Sequence, residues 1–433
     1  MPTRHLTTLA LSLFVSGLAA QDLYVDASRG NDLNPGTPAL PLKSLTAAAG
    51  VAGNNQTIWI YPGVYGPAAT GEVLPIKFGS TTSQQNLVIH GIGSVVFDCG
   101  GAGGTAINIG PLAAGGRLTG ITFTNMSTTD WWAKVIEAGT YKGIGSATGF
   151  EVDRCRFENV NRGVVIWENN PPVTGWKVHS NLFRNLTNDG INDFFAGSAN
   201  RLFNNTFVGN TQLAIVSDGA TTQIVNNLMV NCRVGIGVSA TQVAANLVAN
   251  DMWNCQINFQ GIATPPGNLS VDPQFVNASL NDFRLKSTSP LIEAGVANVP
   301  ARGDLDGNAG AIDSDLNGSI LPEIGAYETT PLKVSASYAS QTLSVNLTNN
   351  GGTTIAFGVL AFGFGDGMLQ VPGWSPILVD PAKLAVVVSG AFPLQVTVPN
   401  LYLPLGQPLV IVGLGYSPLS PGLVPGNQVL LVP

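Results

Sequence analysis

Aromatic rings set beside carboxylates are the residues of this 433-residue chain with the clearest chemical use. Around Gly163-Val-Val-Ile166 and Gly190-Ile191 stand Trp167, Glu168, Asp189, Asn192, Asp193 and Phe194; Asp218 follows, and Trp131, Trp132, Lys134 and Glu137 lie upstream. Pyranose faces stack on apolar rings while carboxylates bind hydroxyls, protons or calcium, so this set suits a saccharide groove. Glu168 with Asp193 or Asp218 could then act as acid and nucleophile or base in glycoside hydrolysis; alternatively, the rings serve only as stabilising stacks. A second acidic run, Asp313-Ser-Asp-Leu-Asn-Gly318, copies the first half of an EF-hand loop through Asp313, Asp315 and Asn317, with Asp304 and Asp306 nearby. Ile324 occupies position twelve where Glu is required, so an intact EF-hand is not supported. A structural calcium site is one expectation there, a solvated Asp-rich turn the other. Calcium is the cofactor the residues suggest, and no organic cofactor is indicated.

Groups so far apart in sequence need a scaffold that brings them onto one strip. Repetition supplies it. The units Cys155-Arg-Phe-Glu-Asn159, Asn181-Leu-Phe-Arg-Asn185, Asn205-Thr-Phe-Val-Gly209, Asn227-Leu-Met-Val-Asn231 and Asn246-Leu-Val-Ala-Asn250 begin 26, 24, 22 and 19 residues apart. Each precedes a short apolar strand, as in Ala214-Ile-Val216 or Gly235-Ile-Gly-Val238. A coil of roughly 22 residues holds three short strands, none able to bury a face alone, so successive coils must stack. The spacing predicts a file of Asn181, Asn205, Asn227 and Asn246 at a tight turn in left-handed backbone, with Cys155 at its upper end. Alternation along the strands points Val164, Ile166, Ile191, Ile215, Ile236 and Val238 inward, and Val165, Trp167, Asn192, Phe194, Val216, Asp218, Gly237 and Ser239 outward. Nine or ten coils over residues 56–285 would make a rod on the order of 45 Å long. Its first coil needs a plug, and the apolar run Ser44 to Ala52 reads as a short helix able to provide one.

Composition agrees with an all-β chain. Apolar residues make up 45% and charged residues 10%, with 52 Gly and 28 Pro, which favours short strands and turns over long solvated helices. A net charge of −7 and a pI near 4.9 leave no basic surface for nucleic acid. Residues 1–20 combine Arg4, an apolar run from Leu9 to Leu18 and the small pair Ala19-Ala20, which reads as a signal peptide and predicts a secreted or cell-surface protein. No later stretch is apolar enough to be a transmembrane segment. Four cysteines, Cys99, Cys155, Cys232 and Cys255, permit two disulfides; Cys232 and Cys255 lie about one repeat apart and could bridge adjacent coils or remain buried thiols. From Pro331 on, only Lys333, Asp366, Asp380 and Lys383 are charged, and short apolar strands read as a small β-sandwich over 331–433. So weakly charged a surface suggests docking, the cell envelope being one partner.

Leu23-Tyr-Val-Asp-Ala-Ser-Arg-Gly-Asn-Asp32, Pro41-Leu-Lys-Ser-Leu45 and Ile58-Trp-Ile-Tyr-Pro-Gly-Val-Tyr65 resemble the N-terminal cap of secreted bacterial β-helices of the pectate lyase-like superfamily. Asp272-Pro-Gln-Phe275, Ser289-Pro-Leu-Ile-Glu-Ala-Gly295, Asp304-Leu-Asp-Gly-Asn308 and Ile324-Gly-Ala-Tyr-Glu328 resemble their closing segment. The resemblance implies a right-handed parallel β-helix, pectin lyase-like, over 21–329, and a partner in extracellular polysaccharide. Asn188-Asp-Gly-Ile-Asn-Asp193 is similar to the calcium-binding Asp cluster of some pectate lyases, where a Lys or Arg removes the proton beside a uronate carboxylate. That implies catalytic roles for Asp189 and Asp193. The base would be Arg201, Arg233 or Lys177, because no Lys occurs between Lys177 and Lys286. The Gly-His-Gly segment of polygalacturonases is absent. The competing expectation is a non-enzymatic surface or adhesion protein with the β-helix as rigid scaffold. Residues 331–433 resemble, less specifically, a C-terminal β-domain appended to varied exported proteins.

Overall fold

A computed structural model describes residues 21–139, 145, 147–167, 174–194, 199–210, 212–239, 241–297, 303–308, 311, 314 and 320–330, then seven strands between Leu332 and Leu431. The expected signal peptide lies outside the described residues. From Leu23 to Gln260 the chain winds through three parallel sheets, visited in the same order on every turn. Among the described residues the first sheet has nine strands and the second and third have eight each. One turn runs Glu151–Asp153, Arg156–Glu158 and Arg162–Ile166 through the first, second and third sheets; the next runs Lys177–His179, Leu182–Arg184 and Ile191–Asp193. Val152 pairs with Val178, Phe157 with Phe183 and Val164 with Ile191. This is the right-handed parallel β-helix expected.

The inward residues make one continuous core. Phe97, Phe123, Phe157, Phe183 and Phe207 stack ring on ring at centroid distances of 5.7, 5.5, 4.7 and 4.7 Å. Burying each ring contributes roughly 1.5–3 kcal/mol, which three-residue strands could not gain singly. The inward set Val164, Ile166, Ile191, Ile215, Ile236 and Val238 all join this core. Helix Leu45–Val51 plugs the first coil as predicted: Ser44 Oγ caps it by accepting from Ala47 N at 3.1 Å, and Leu45, Ala48 and Ala49 enter the core. No helix among the described residues is long and apolar enough to cross a membrane.

The asparagine file exists, with one rung displaced. Each Nδ2 donates to the next Oδ1 through Asn181, Asn205, Asn227, Asn250 and Asn268, at 3.1, 3.0, 3.0 and 3.0 Å. Cys155 N–H tops the file on Asn181 Oδ1 at 2.9 Å. Asn246 is not a member; it ends the 3-10 turn Ala244–Asn246, while Met229 pairs with Met252 and makes Asn250 the true successor of Asn227. The apolar Leu-Val-Ala after Asn246 imitated the repeat better than the Asp-Met-Trp after Asn250, and so the spacing misled. The left-handed backbone also falls one residue earlier than expected, on Arg154, Ser180, Asn204, Asn226 and Ala249, with φ from 50° to 57°. That leaves each file amide extended, free to bridge coils.

Eight coils are present among the described residues, not nine or ten, and the rod is about 35 Å long. The closing segment adds no further coil. Hairpin Phe275–Asn277 with Asp282–Leu285, together with Leu291, Ile324, Ala326 and Tyr327, lies back against Leu182, Leu228 and Val230 on the outer face of the second sheet. Strands Leu332–Ala339, Thr342–Asn349, Phe357–Phe364, Leu384–Ala391, Leu394–Val398, Leu409–Tyr416 and Leu423–Leu431 pair mainly antiparallel, with Leu332 opposite Gly426 the one parallel link described. All four cysteines carry unbridged thiols.

Candidate functional site

The outward residues of the third sheet line up in two files. One is Asn108, Glu137, Val165, Asn192, Val216 and Gly237, matched strand to strand. The other starts at Trp167 and Phe194, whose rings stack at 5.4 Å and 13°. Trp132 extends that run, its ring 6.1 Å from Trp167. Three rings thus follow one another across three coils, Trp132 exposed and tilted 47° against the buried Trp167.

A charged floor holds the rings. Asp130 shapes the turn before them by accepting from Trp132 N at 2.9 Å and Gly104 N at 3.0 Å, and these two N–H groups hold its carboxyl below the ordinary range. The turn leaves Trp131 62% and Trp132 50% exposed. Arg162 lies 4.5 Å from the Trp131 ring centroid, donates to the Trp131 carbonyl, and reaches Asp189 Oδ2 through Nε at 3.3 Å. Lys134 Nζ donates to Trp132 O at 2.9 Å, stands 3.5 Å from Glu137 Oε1 and faces the Trp132 and Trp167 rings. Glu137 takes Trp167 Nε1 on Oε1 at 2.5 Å and Thr105 Oγ1 on Oε2 at 2.7 Å. Asp189 also accepts from Asn192 Nδ2 at 3.0 Å and Leu213 N at 3.3 Å. Lys134, Glu137, Arg162 and Asp189 are all buried, so they brace the tryptophans from below. Asn192 Oδ1 has no protein partner among the described residues.

The predicted site residues divide unevenly over this surface. Trp167 stacks on Phe194, Asn192 donates to Asp189, and Asp218 lies half-buried in register beyond Phe194, its N–H on the Asp193 carbonyl at 2.8 Å. Asp193 does not join them. It pairs with Ile166, an inward position, and is sealed by Ser217 Oγ at 3.1 Å, Thr222 Oγ1 at 2.5 Å and Asn200 Nδ2 at 3.1 Å. Lys177 and Arg201 pair with each other on the first sheet, a different face of the rod, so neither reaches Asp189. Glu168, Asp313, Asp315 and Asn317 lie outside the described residues. Asp304 is buried with both oxygens accepting N–H groups of Asp306, Asn308 and Glu328, and Asp306 is paired with Arg284 at 2.5 Å. These two are therefore engaged by protein donors rather than disposed around an ion. Arg162 was missed, although it stands 27 residues before Asp189, one coil away.

A second polar cluster sits on the first sheet, where Glu151, Asp153 and His179 bring ligand-type atoms within 4.8 Å of one another. Its chemistry does not fit a metal. Arg117 grips Asp153 bidentately at 2.7 and 2.7 Å, Arg154 adds a contact at 3.3 Å, and His179 spends Nε2 on Glu151 and Nδ1 on Ser180 at 3.0 and 3.1 Å. Burial would raise the Asp153 carboxyl, but the Arg117 charge and hydrogen bonds outweigh it and hold the group well below the carboxylate range. Glu151 is likewise lowered, burial being outweighed by His179. Two guanidinium groups already occupy the place a cation would take.

Residues 28–270 match the family model described as Protein of unknown function (DUF1565). No curated protein matches the sequence. Among solved structures, a rhamnogalacturonan lyase aligns at 15% identity and TM-score 0.35 over 58% of this chain and 65% of that one, so the chain spans just under two thirds of that enzyme. The pectate lyase Pel9A aligns at 14% identity and TM-score 0.38, over 72% of this chain and 98% of that one. A GH136 lacto-N-biosidase from Eubacterium ramulus aligns at 9% identity and TM-score 0.26, over 58% and 67%.

Proposed function

We propose that this chain, which belongs to the DUF1565 family, binds extracellular polysaccharide along the outer face of its third sheet. The observation that carries the reading is the exposed pair Trp131 and Trp132, with the buried Trp167 packed behind Trp132 and stacked on Phe194. Sugar rings stacked on the exposed Trp131 and Trp132 would shed water from those faces. The floor charges favour binding over bond cleavage. Among the described residues of the strip each cation is matched with a carboxylate, Lys134 with Glu137 and Arg162 with Asp189. A calcium-assisted β-elimination would further need a base: Lys177 and Arg201 stand on another sheet, and Arg233, just before third-sheet strand Val234–Val238, donates Nε to Gln212 Oε1 at 3.2 Å.

Retention of the full chain on immobilised pectin, alginate and neutral glucans, with an assay for unsaturated and reducing ends, tests this. Trp131→Ala with Trp132→Ala should cut retention on the cognate polymer about tenfold, equivalent to ~1.4 kcal/mol, at unchanged Tm. Equal retention of the double variant, or none by the native chain on any polymer, leaves the scaffold reading in its place. Calcium-dependent release of unsaturated ends would restore the lyase.

A further inference from the structure

Cys232 and Cys255 occupy equivalent positions of the last two coils. Val230 pairs with Trp253 before them and Val234 with Ile257 after them; both offsets are 23 residues, and so is 255 − 232. Contacts on either side lock that register: Asn254 Nδ2 donates to Asn231 Oδ1 at 2.6 Å, and Gln256 N–H donates to the Cys232 carbonyl at 3.2 Å. Adjacent strands lie about 4.8 Å apart. That falls inside the ~4.4–6.8 Å Cα separation a disulfide spans. Cys232 faces the core and Cys255 is half-buried near the open end of the rod, where Ile257 is exposed. Cys99 and Cys155 differ: both are buried, and burial pushes each thiol up to about 12.

We propose that Cys232 and Cys255 form a redox-active pair that closes to a disulfide joining the last two coils, with a small or protein-borne disulfide as oxidant. In the reduced pair each thiol donates to backbone, Cys232 Sγ to the Val230 carbonyl at 3.6 Å and Cys255 Sγ to the Met229 carbonyl at 3.7 Å. Cys255 is the more accessible sulfur and so the nucleophile; its neighbour Cys232 holds it below the ordinary thiol value, while Cys232 itself is raised by Cys255 and by burial. Cys255 Sγ, as thiolate, attacks one sulfur of the oxidant; the oxidant's S–S bond breaks and one carrier thiolate leaves. Cys232 gives its proton to that thiolate and attacks Cys255 Sγ, expelling the second carrier sulfur. Two protein thiols lose two electrons and two protons in all, and one carrier disulfide becomes two thiols.

The test starts from the reduced full chain, exposed to oxidised glutathione while folded, then denatured, alkylated and mapped by peptide mass. The expected result is one linked peptide pair containing Cys232 and Cys255, with Cys99 and Cys155 alkylated. Cys232→Ser should trap glutathione on Cys255, whereas Cys255→Ser should trap little on the buried Cys232. Four alkylated cysteines in the oxidised native chain, or linkage of any other pair, overturns the proposal; so does trapping on Cys232 in preference to Cys255.

Discussion

The outer faces of the first and third sheets both carry arginine, glutamate and aspartate, yet they are finished in opposite ways. On the first sheet, Arg117, Glu151, Asp153 and His179 neutralise one another beneath the chain at residue 303, where Ser180 Oγ donates to the Gly303 carbonyl at 3.1 Å. On the third, similar ion pairs hold up Trp131 and Trp132, which face water. The same residue types thus form a sealed joint in one place and a platform in the other. What separates them is the ring that the charge supports, and a cluster of acids is a poor guide to a site by itself.

The largest effect should come from the sealed joint. Asp153→Ala removes the bidentate partner of a buried arginine and should cost about 3–5 kcal/mol in urea melts, with saccharide retention of the folded fraction unchanged. The joint also sets an acid limit. Because the folded pKa values of Asp153 and Glu151 lie below their unfolded ones, their stabilisation is full above about pH 4–5 and is lost as pH falls through the depressed values. Asp153→Ala should therefore flatten the acid limb of a Tm-against-pH curve; an unaltered limb would mean that other groups set it. Asn205→Ala comes next. It takes the Oδ1 acceptor from Asn181 and leaves the Val178 carbonyl without its Nδ2 donor, for about 1–3 kcal/mol by the same melts. Smallest is Asp306→Ala, which breaks a half-exposed pair with Arg284 and should cost under ~1 kcal/mol. A calcium-dependent rise in Tm that vanishes in this variant would make Asp306 a ligand after all.

The helix was legible because its evidence is periodic and local: the Asn and Phe files recur every coil, and Trp167 with Phe194 falls out of the same count. Asp193 was readable too, since two steps from inward Ile191 lies another inward position; proximity to Asn192 obscured it. Lys177 and Arg201 each stand four residues before a file Asn, which marks the first sheet, not the third. The first-sheet joint was not legible. Its burial depends on chain some 120 residues downstream, as the Ser180 to Gly303 bond records, and no repeat announces which face the closing segment will cover. Asn246 shows the opposite failure, a local pattern overruled by strand pairing.

The unbroken column of Phe123, Phe157, Phe183 and Phe207 makes this chain adjustable only in whole steps. Excising residues 181–204 would bring Asn205 beneath Cys155 and Phe207 beneath Phe157, shortening the rod by one floor while the Asn and Phe columns stay in register, at the loss of Asp189 and Phe194 from the outer face. Loss of a single residue within a strand would instead trade interior for exterior along the rest of that strand. Lineages carrying this fold can therefore lengthen or shorten by duplication and deletion of complete turns, and the length of any strip along the rod is set by that arithmetic.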